Sequence, residues 1–524
     1  MAFPANLLPG TSLTLSAVPP PHTDESRNGN YLHHSKRLAA LLILGAVFVA
    51  QTPVIMAQDI LIQNVTLISP ERAAPMFHAD VLLQEGRIAQ IGTKLVPGPH
   101  SRPIDGSGRF LIPGLIDSHV HAGHSAALDE DAIDAHPELW AAYRDQVPRA
   151  FLAFGFTSVV DLDLKPADKA WFDGAPLHPH LYSCGKGIKV AGGYMAFKVP
   201  TAVSENFPNL VYEPKEAQYW PKSLNPRDYT ADRAVSRAAD AGAICVKVFV
   251  ESGFGTFNWP YLHTETLQRI RAAASNRKLV LMVHATSVDS WRSAIDADAD
   301  IIAHGLWVWP GDVGNPTPPA AADAVIAAAA RAGRRVQPTL QTVAGERALF
   351  DPALLDDSRL TFALPKAVIA YLRSPEGMKS SSDLLAEYRK ASPSPGFEPL
   401  LAATVARTHA TLNVMLKDHV ALIFGSDTPG VDGFGNPPGL NGRLELQNWV
   451  DAGVPLPLIL RAATLDNAKA LNLSHDLGSI EVGKRADLLL LKDSPLESIS
   501  AYDTIETVFL HGEPVSREAL RARD

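Results

Sequence analysis

Six side chains that could bind metal ions lie at or just beyond the ends of apolar, strand-like runs. They are His119, His121, Lys247, His284, His304 and Asp427. The local sequences read PGLIDSHVH, ICVKVFV, LVLMVHATS, ADIIAHG and ALIFGSDTP. In a barrel of parallel strands, the chemistry lies at the carboxyl ends of the strands. The order of these residues therefore predicts one metal site that is assembled from five strands.

The spacing of the two leading histidines suits metal binding. His119 and His121 are two residues apart, so both side chains point to the same face of a strand. His284 and His304 would add imidazole nitrogens, and Asp427 would add a carboxylate oxygen. This mixture of nitrogen and oxygen ligands suits Zn²⁺ and also manganese, cobalt or iron.

Lys247 lies inside the apolar run ICVKVFV, where an ammonium group is costly to bury. One interpretation is a structural lysine whose amine pairs with Glu251 or with a loop carboxylate. The other is a carbamate formed from CO₂ and the neutral amine. A carbamate is an anion and could bridge two metal ions about 3.5–4 Å apart, as in two-metal hydrolases.

The central part of the chain alternates strand-like runs with amphipathic helical segments, which predicts an α/β fold, a (β/α)8 TIM barrel over residues 111–472. The eight runs are 111–117, 157–162, 180–185, 243–250, 278–283, 300–304, 335–340 and 420–425. Helices are expected near 137–154, 230–241, 263–275, 287–297, 319–332, 400–418 and 455–470.

Both ends of the folded region read as short strands separated by turns. Residues 58–110 and 473–524 are therefore expected to form one small composite β-sandwich. Two long insertions, 186–229 and 341–399, should emerge over the barrel mouth. Loops of this length in a compact domain are usually functional, which favours substrate-binding walls or lids. The alternative is that they are solvent-exposed loops without a role in binding.

Residues 1–57 differ from the remainder. Lys36 and Arg37 precede the apolar stretch 38–50, and a small-residue cleavage site ends near Ala57, which is typical of a signal peptide. Residues 1–35 are expected to be disordered. The prediction is a periplasmic or secreted protein without stable membrane association, or a membrane-anchored one if the segment stays uncleaved.

Composition narrows the class of partner. The chain has 524 residues, 46% hydrophobic and 20% charged, with a formal net charge of -9, so nucleic acid is not an expected partner. The predicted partner is a small-molecule substrate, and a homo-oligomer is possible.

The two cysteines are too few for a disulfide framework. Cys245 is interpreted as a buried small hydrophobe, and Cys184 as a residue near a strand end.

The chain resembles the amidohydrolase superfamily, in the branch of imidazolonepropionase-like and prolidase-like enzymes. PGLIDSHVH is similar to the first-strand motif of that family. IEVGKRADLLLL is similar to its returning β segment, and RAATLDNAKALNL is similar to the helix before that segment. The resemblance spans residues 58–515 and implies a metal-bearing barrel with a composite β domain.

The resemblance also implies roles for the ligands. His119 and His121 would bind the more buried ion with Asp427, while His284 and His304 would hold the second ion. Imidazolonepropionase itself lacks the bridging lysine and uses one metal. The presence of Lys247 therefore argues for the binuclear, dipeptidase-like subgroup, with two Zn²⁺ ions bridged by a carboxylated Lys247.

The expected reaction is hydrolysis of an amide bond in a peptide or an N-acyl amino acid by a metal-bridging hydroxide, with Asp427 as general base and then acid. Candidate substrate-binding residues are Lys186, Lys189, Tyr194, Trp307, Trp309 and Arg443. The alternatives are hydrolysis of a lactone, ester or phosphotriester at the same site, and a non-catalytic periplasmic binding protein. A barrel that had lost its catalytic activity would be expected to lack at least one metal ligand, whereas this chain has all six.

Overall fold

The computed structural model describes residues 58–99, 101–196, 209–255, 257–311, 314–347, 349–391, 396–429 and 434–523. The predicted signal segment and its cleavage site lie outside these residues. Within the described ranges, no helix is long and apolar enough to cross a membrane.

The strands fall into a composite terminal sheet and a central barrel. In chain order they are β1 (Ile60–Leu67), β2 (Met76–Gln84), β3 (Arg87–Gly92), β4 (Arg102–Asp105), β5 (Phe110–Pro113), β6 (Leu115–Val120), β7 (Phe156–Asp161), β8 (His180–Ser183), β9 (Ile188–Lys189), β10 (Asn209–Leu210), β11 (Cys245–Phe249), β12 (Val280–His284), β13 (Ile301–Ala303), β14 (Arg335–Gln337), β15 (Ala421–Leu422), β16 (Leu488–Leu491), β17 (Ile505–Leu510) and β18 (Glu513–Ser516).

The helices cover the outside of the barrel and much of the second insertion. They are α1 (Glu130–Ala135), α2 (Pro137–Ala153), α3 (Pro166–Asp173), α4 (Ala231–Asp240), α5 (Thr264–Asn276), α6 (Val288–Asp296), α7 (Ala320–Arg331), α8 (Leu340–Arg347), α9 (Leu360–Ala363), α10 (Lys366–Leu372), α11 (Pro375–Ala391), α12 (Phe397–Lys417), α13 (Leu440–Asp451), α14 (Leu456–Arg461) and α15 (Asn467–Ala470). The insertion 341–399 is therefore largely helical rather than an extended loop.

Eight parallel strands form the predicted barrel. Strands β6, β7 and β8 pair in order, and β11 to β15 pair in order. The backbone N–H of Ile244 donates to the Ser183 carbonyl at 2.9 Å, which joins β8 to β11. A bridge between Val120 and Thr428 joins the last strand to the first. Strands such as VLMVH in β12 are buried throughout, because helices cover a parallel sheet from outside.

The two chain ends form one eight-stranded sheet, which confirms the composite β domain. Strands β18, β17 and β16 lie beside β5, and the order continues through β1 to β2 and β3, with β4 also paired to β1. The apolar run 111–117 contributes to both parts, which was not foreseen. Its first residues belong to β5, and Gly114 separates them from β6 of the barrel. A Cβ on Gly114 would lie 2.0 Å from Thr157 Oγ1, so only glycine fits there.

The interpretation of Cys245 as a free buried hydrophobe is wrong. Cys184 and Cys245 form a disulfide between the end of β8 and the start of β11. Both cysteines are fully buried. The two cysteines are 61 positions apart with the first insertion between them, so their spacing did not reveal that the strands are neighbours. The disulfide covalently joins the two strands at this part of the barrel.

Replacing both cysteines by alanine should lower the free energy of unfolding by up to about 4 kcal/mol, because the disulfide closes a long loop of the unfolded chain. Urea unfolding of the double variant and the wild type measures this difference. Adding a thiol reductant should lower the midpoint of the wild type toward that of the variant. Equal midpoints for the oxidised wild type and the variant would contradict the assignment.

Candidate metal centre

The six predicted ligands are carried by the carboxyl ends of the barrel strands. His119 lies in β6 with His121 just after it, Lys247 lies in β11, and His284 ends β12. His304 directly follows β13, and Asp427 lies in the segment after β15. His304 and Asp427 have φ angles of 80° and 57°, a left-handed conformation that is uncommon for residues other than glycine. Such backbone strain is concentrated at functional sites.

His119, His121 and Asp427 form the tightest cluster. The Nε2 atoms of both imidazoles lie 3.1 Å from Asp427 Oδ1. Their potential ligand atoms all lie within 4.8 Å of one another. Backbone pairing explains this convergence, because the Asp427 N–H donates to the His119 carbonyl at 2.8 Å. These three side chains could therefore hold one ion.

His284 and His304 stand next to this cluster. Their ring centroids are 4.3 Å apart, and the His304 ring is 5.1 Å from that of His119. Thr339 Oγ1 lies 2.9 Å from His304 Nδ1 and orients that ring. The two imidazoles are close enough to hold a second ion beside the first.

Glu251 supports His284, a role that the sequence did not indicate. Its Oε2 atom lies 3.5 Å from His284 Nε2. The backbone N–H groups of Gly253 and Phe254 each donate to Glu251 Oε1 at 2.7 Å, and Thr286 Oγ1 donates to Oε2. Glu251 had been considered as a partner of Lys247, but these contacts engage it elsewhere. A carboxylate beside a metal-binding histidine commonly fixes the ring.

Lys247 is buried and lines the same cavity as the ligand histidines, with 1% of its surface exposed. Burial lowers the pKa of its amine to about 7, and the negative charge of Asp427 opposes that shift. Among the described residues, Nζ has no hydrogen-bond partner. The Phe249 ring lies 5.5 Å away and contributes a cation–π contact. The neutral form of this amine is therefore more accessible at neutral pH than that of a solvent-exposed lysine.

The protonation states suit a set of metal ligands. Burial lowers the pKa of His119 to about 3 and that of His304 well below its usual value. Burial also opposes ionisation of Asp427, but its electrostatic interaction with the His119 ring and the hydrogen bonds from both imidazoles hold its pKa well below its usual range. His121 differs, because the hydrogen bond and the charge of Asp427 outweigh its burial and raise its pKa. Neutral imidazoles beside an ionised carboxylate bind divalent cations, and metal binding releases the protons that the free ligands still carry.

Unpaired polar atoms provide a second test of the fit. Within the described part of the chain, His119 Nδ1, His121 Nδ1 and Lys247 Nζ are buried without a hydrogen-bond partner. Leaving such an atom unpaired costs about 1–3 kcal/mol. The unpaired Lys247 Nζ is expected where a side chain serves a ligand rather than the fold. The residues present fit a site for divalent metal ions.

The structure places two of the predicted substrate-binding residues in the cavity over the ligands. Tyr194 and Trp307 both line this small cavity of about 60 Å³, which also contains the six ligands. The Tyr194 ring stacks on Trp259 at 5.6 Å and lies 5.0 Å from the His284 ring. Both residues therefore stay candidates for substrate contact.

The predicted cationic residues are engaged elsewhere. Lys186 and Lys189 both bind the buried carboxylate of Asp163, at 2.8 and 2.9 Å. Arg443 forms a two-pronged ion pair with Asp503, at 3.1 and 2.7 Å, and does not line the cavity. Two nitrogens of the Arg443 guanidinium are therefore paired with a carboxylate distant in sequence, and its role as a substrate clamp stays a prediction.

Sequence reasoning missed two groups that lie close to the ligands. Thr342 Oγ1, in α8, donates to Asp427 Oδ2 at 3.1 Å. Asp163, which holds both lysines, also lines the cavity. Asp163 follows β7 in the sequence VVDLD, so the rule that chemistry lies at strand ends could have identified it. Thr342 lies in an insertion where no pattern distinguished it.

Comparison with known proteins agrees with this geometry. The amidohydrolase family model matches residues 110–307 and 370–515. A D-hydantoinase of Rhizobium radiobacter is 44% identical over 63 residues, which are 12% of this chain and 13% of that protein. The curated relatives are therefore matched over only a small part of their length.

Solved structures match over most of the chain. A prolidase complexed with N-methylphosphonate-L-proline is 21% identical with a TM-score of 0.62, and the match covers 88% of this chain and 100% of that one. Ochratoxinase of A. niger is 19% identical with a TM-score of 0.62, covering 89% and 99%. These likenesses establish the shared fold. Together with the family match over most of the barrel and the composite sheet, they show that the chain belongs to the amidohydrolase family.

Proposed function

We propose that this protein is a metal-dependent hydrolase of an amide bond in a small substrate, a peptide or an N-acyl amino acid. The observation that carries the proposal is the convergence of His119, His121 and Asp427, with both imidazoles 3.1 Å from one carboxylate oxygen. The names of the matched hydantoinase and prolidase support a hydrolase of carbon–nitrogen bonds.

The ligands would divide between two Zn²⁺ ions. His119, His121 and Asp427 would hold one ion, and His284 with His304 would hold the other, with carboxylated Lys247 bridging them. Bound divalent ions lower the pKa of a water ligand toward about 7 and polarise a carbonyl oxygen. Nitrogen and oxygen ligands of this kind suit zinc.

Lys247 would act as an anion rather than as a cation. Its neutral Nζ would attack the carbon of CO₂, form an N–C bond and release one proton, which leaves a carbamate. The lowered pKa of about 7 supports this step, because it provides neutral amine at neutral pH. The added negative charge would also compensate the positive charge that two divalent ions bring into a buried site.

Asp427 would transfer the proton. Its carboxylate would accept a proton from the attacking water and then deliver it to the leaving nitrogen, as a general base followed by a general acid. Thr342 Oγ1 donates to Asp427 Oδ2 at 3.1 Å and so restricts rotation of the carboxylate. The Asp427 N–H donates to the His119 carbonyl at 2.8 Å, and this hydrogen bond fixes the backbone from which the carboxylate extends.

A location outside the cytoplasm is part of the proposal. The residues before 58 have the charge and hydropathy pattern of a signal peptide. The pairing of Cys184 with Cys245 supports the same location, because disulfides persist mainly in oxidising compartments.

Removing the metal should lower the melting temperature, because ions that bind only the folded state stabilise it by about 4 kcal/mol at a thousandfold excess over the dissociation constant. Differential scanning calorimetry before and after chelation, and after adding Zn²⁺ back, measures the shift. His284→Ala should reduce the shift. His475→Ala, at an exposed histidine outside the site, should keep it. An unchanged melting temperature in the wild type would contradict the metal site.

Asp427→Asn should lower turnover of N-acyl amino acids or dipeptides by at least about a hundredfold. The reason is that the side-chain amide of asparagine cannot accept the proton from the attacking water. Amine release measured over a panel of these amides tests both the function and the role of Asp427. Asp418→Asn, at the end of α12, is the matched control and should keep full turnover.

Near-normal turnover in Asp427→Asn would refute its role in proton transfer. A parallel panel of esters, lactones and phosphotriesters separates the bond classes. Fast ester turnover without amide turnover would replace the amide proposal by an esterase.

A further inference from the structure

A larger cavity lies directly beside the metal-ligand cavity, and we propose that it binds a bulky aromatic group carried by the substrate on one side of the scissile amide. This outer cavity has a volume of about 520 Å³. The inference rests on the proposed amide hydrolysis, and it defines which amides the site accepts.

The two cavities share walls. Phe254 and Trp307 line both the outer cavity and the cavity of about 60 Å³ over the ligands. The inner cavity has room for the reacting carbonyl and little else, whereas the outer volume falls within the range of small-molecule pockets. A substrate with its amide at the ligands must therefore extend its bulk past these two rings.

The outer cavity opens among loops that follow three neighbouring strands. Ser252 and Gly255 follow β11, Ser287 follows β12, and Trp309 follows β13. Leu400, in α12, also lines the outer cavity. These are the carboxyl ends of the strands that carry Lys247, His284 and His304, so the outer cavity belongs to the catalytic face.

Aromatic rings give the outer cavity its character. Trp307 and Trp309 are 5% and 8% exposed, and Phe254 and Tyr261 add further rings. Aromatic pairs gain about 0.5–1.5 kcal/mol beyond the area that they bury. Such walls favour a flat ring system over a short aliphatic chain. The expected tryptophan wall is therefore part of the basis for this inference.

Contacts within the protein fix the tryptophan wall, formed by Trp307 and Trp309, without a bound ligand. The Arg407 guanidinium stacks 4.3 Å from the Trp309 ring and donates to the carbonyls of Trp307 and Trp309, at 3.3 and 3.4 Å. Thr411 Oγ1 donates to the Leu306 carbonyl at 2.8 Å, which anchors the same segment to α12. A preformed wall loses little conformational freedom on binding.

The charges at the outer cavity already have partners. Asp289 accepts a hydrogen bond from Arg292 at 2.8 Å, and Arg407 is engaged with Trp309 and with backbone carbonyls. The remaining polar groups are mainly hydroxyls, such as those of Ser287, Ser290 and Ser293. The lining therefore suits an uncharged aromatic group with, at most, a few polar substituents.

Three N-acyl amino acids test the inference on the metal-loaded protein. N-naphthoyl-L-alanine carries the ring on the acyl side, N-acetyl-L-naphthylalanine carries it on the amine side, and N-acetyl-L-alanine has no ring. One of the two aromatic amides should have a kcat/KM at least about tenfold above that of N-acetyl-L-alanine, since pocket contacts are worth this factor or more. The aromatic amide with the higher kcat/KM shows whether the acyl side or the amine side of the substrate enters the outer cavity.

Filling the outer cavity should remove this preference. Ser293→Phe and Leu400→Trp, made separately, should each lower kcat/KM for the preferred aromatic amide at least about tenfold and leave N-acetyl-L-alanine within about twofold. Ser275→Phe, on the exposed face of α5, adds the same ring away from the cavity and should change neither value.

The outcomes separate this inference from the proposed function. Hydrolysis of all three amides without an aromatic preference, or an equal loss for all of them in both filled variants, would overturn the outer-cavity inference and leave the function standing. If no amide is hydrolysed, the proposed function fails. Calorimetric titration of the metal-free protein with naphthoate and with naphthylalanine then decides the inference. Binding of either compound that both filled variants weaken would support it, and no binding would overturn it.

Discussion

Burial of several metal-binding side chains within one closed ring of strands is the constraint on which this structure depends. Each side chain is attached at the carboxyl end of a strand, where the barrel brings distant parts of the sequence together. Burying imidazoles, an amine and a carboxylate together raises the free energy of the folded state unless a ligand binds them. The same barrel that excludes water from them also holds them rigidly, so the stability of the barrel sets the precision of the site.

The network around β6 shows how the barrel supports the ligands. The Asp117 carboxylate accepts from the backbone N–H groups of Ser426 and His119, at 3.0 and 3.2 Å. The His121 N–H donates to the Thr428 carbonyl at 2.6 Å. Burial raises the pKa of Asp117 to about 7, and the hydrogen bonds from Ser426 oppose that shift. The first and last strands are therefore linked beneath the histidine pair and Asp427.

The fold and most of the candidate site could be predicted because both follow local rules. Alternation of apolar runs and helices revealed the barrel, and position at strand ends selected His119, His284 and Asp427. Long-range pairing was not accessible in this way. The disulfide of Cys184 with Cys245 and the ion pair of Arg443 with Asp503 depend on contacts between segments about 60 residues apart. Carboxylation of Lys247 stays a prediction, since the position of the amine permits it without requiring it.

Metal content of the purified protein beside its Lys247→Ala variant tests the central claim most directly. Inductively coupled plasma mass spectrometry, with protein concentration from amino-acid analysis, gives the number of ions per chain. The account predicts two ions in the wild type and one or none in the variant, because the bridging anion is lost. One ion in both proteins would make Lys247 structural and the site mononuclear. No ion in either protein, even after reconstitution, would contradict the account.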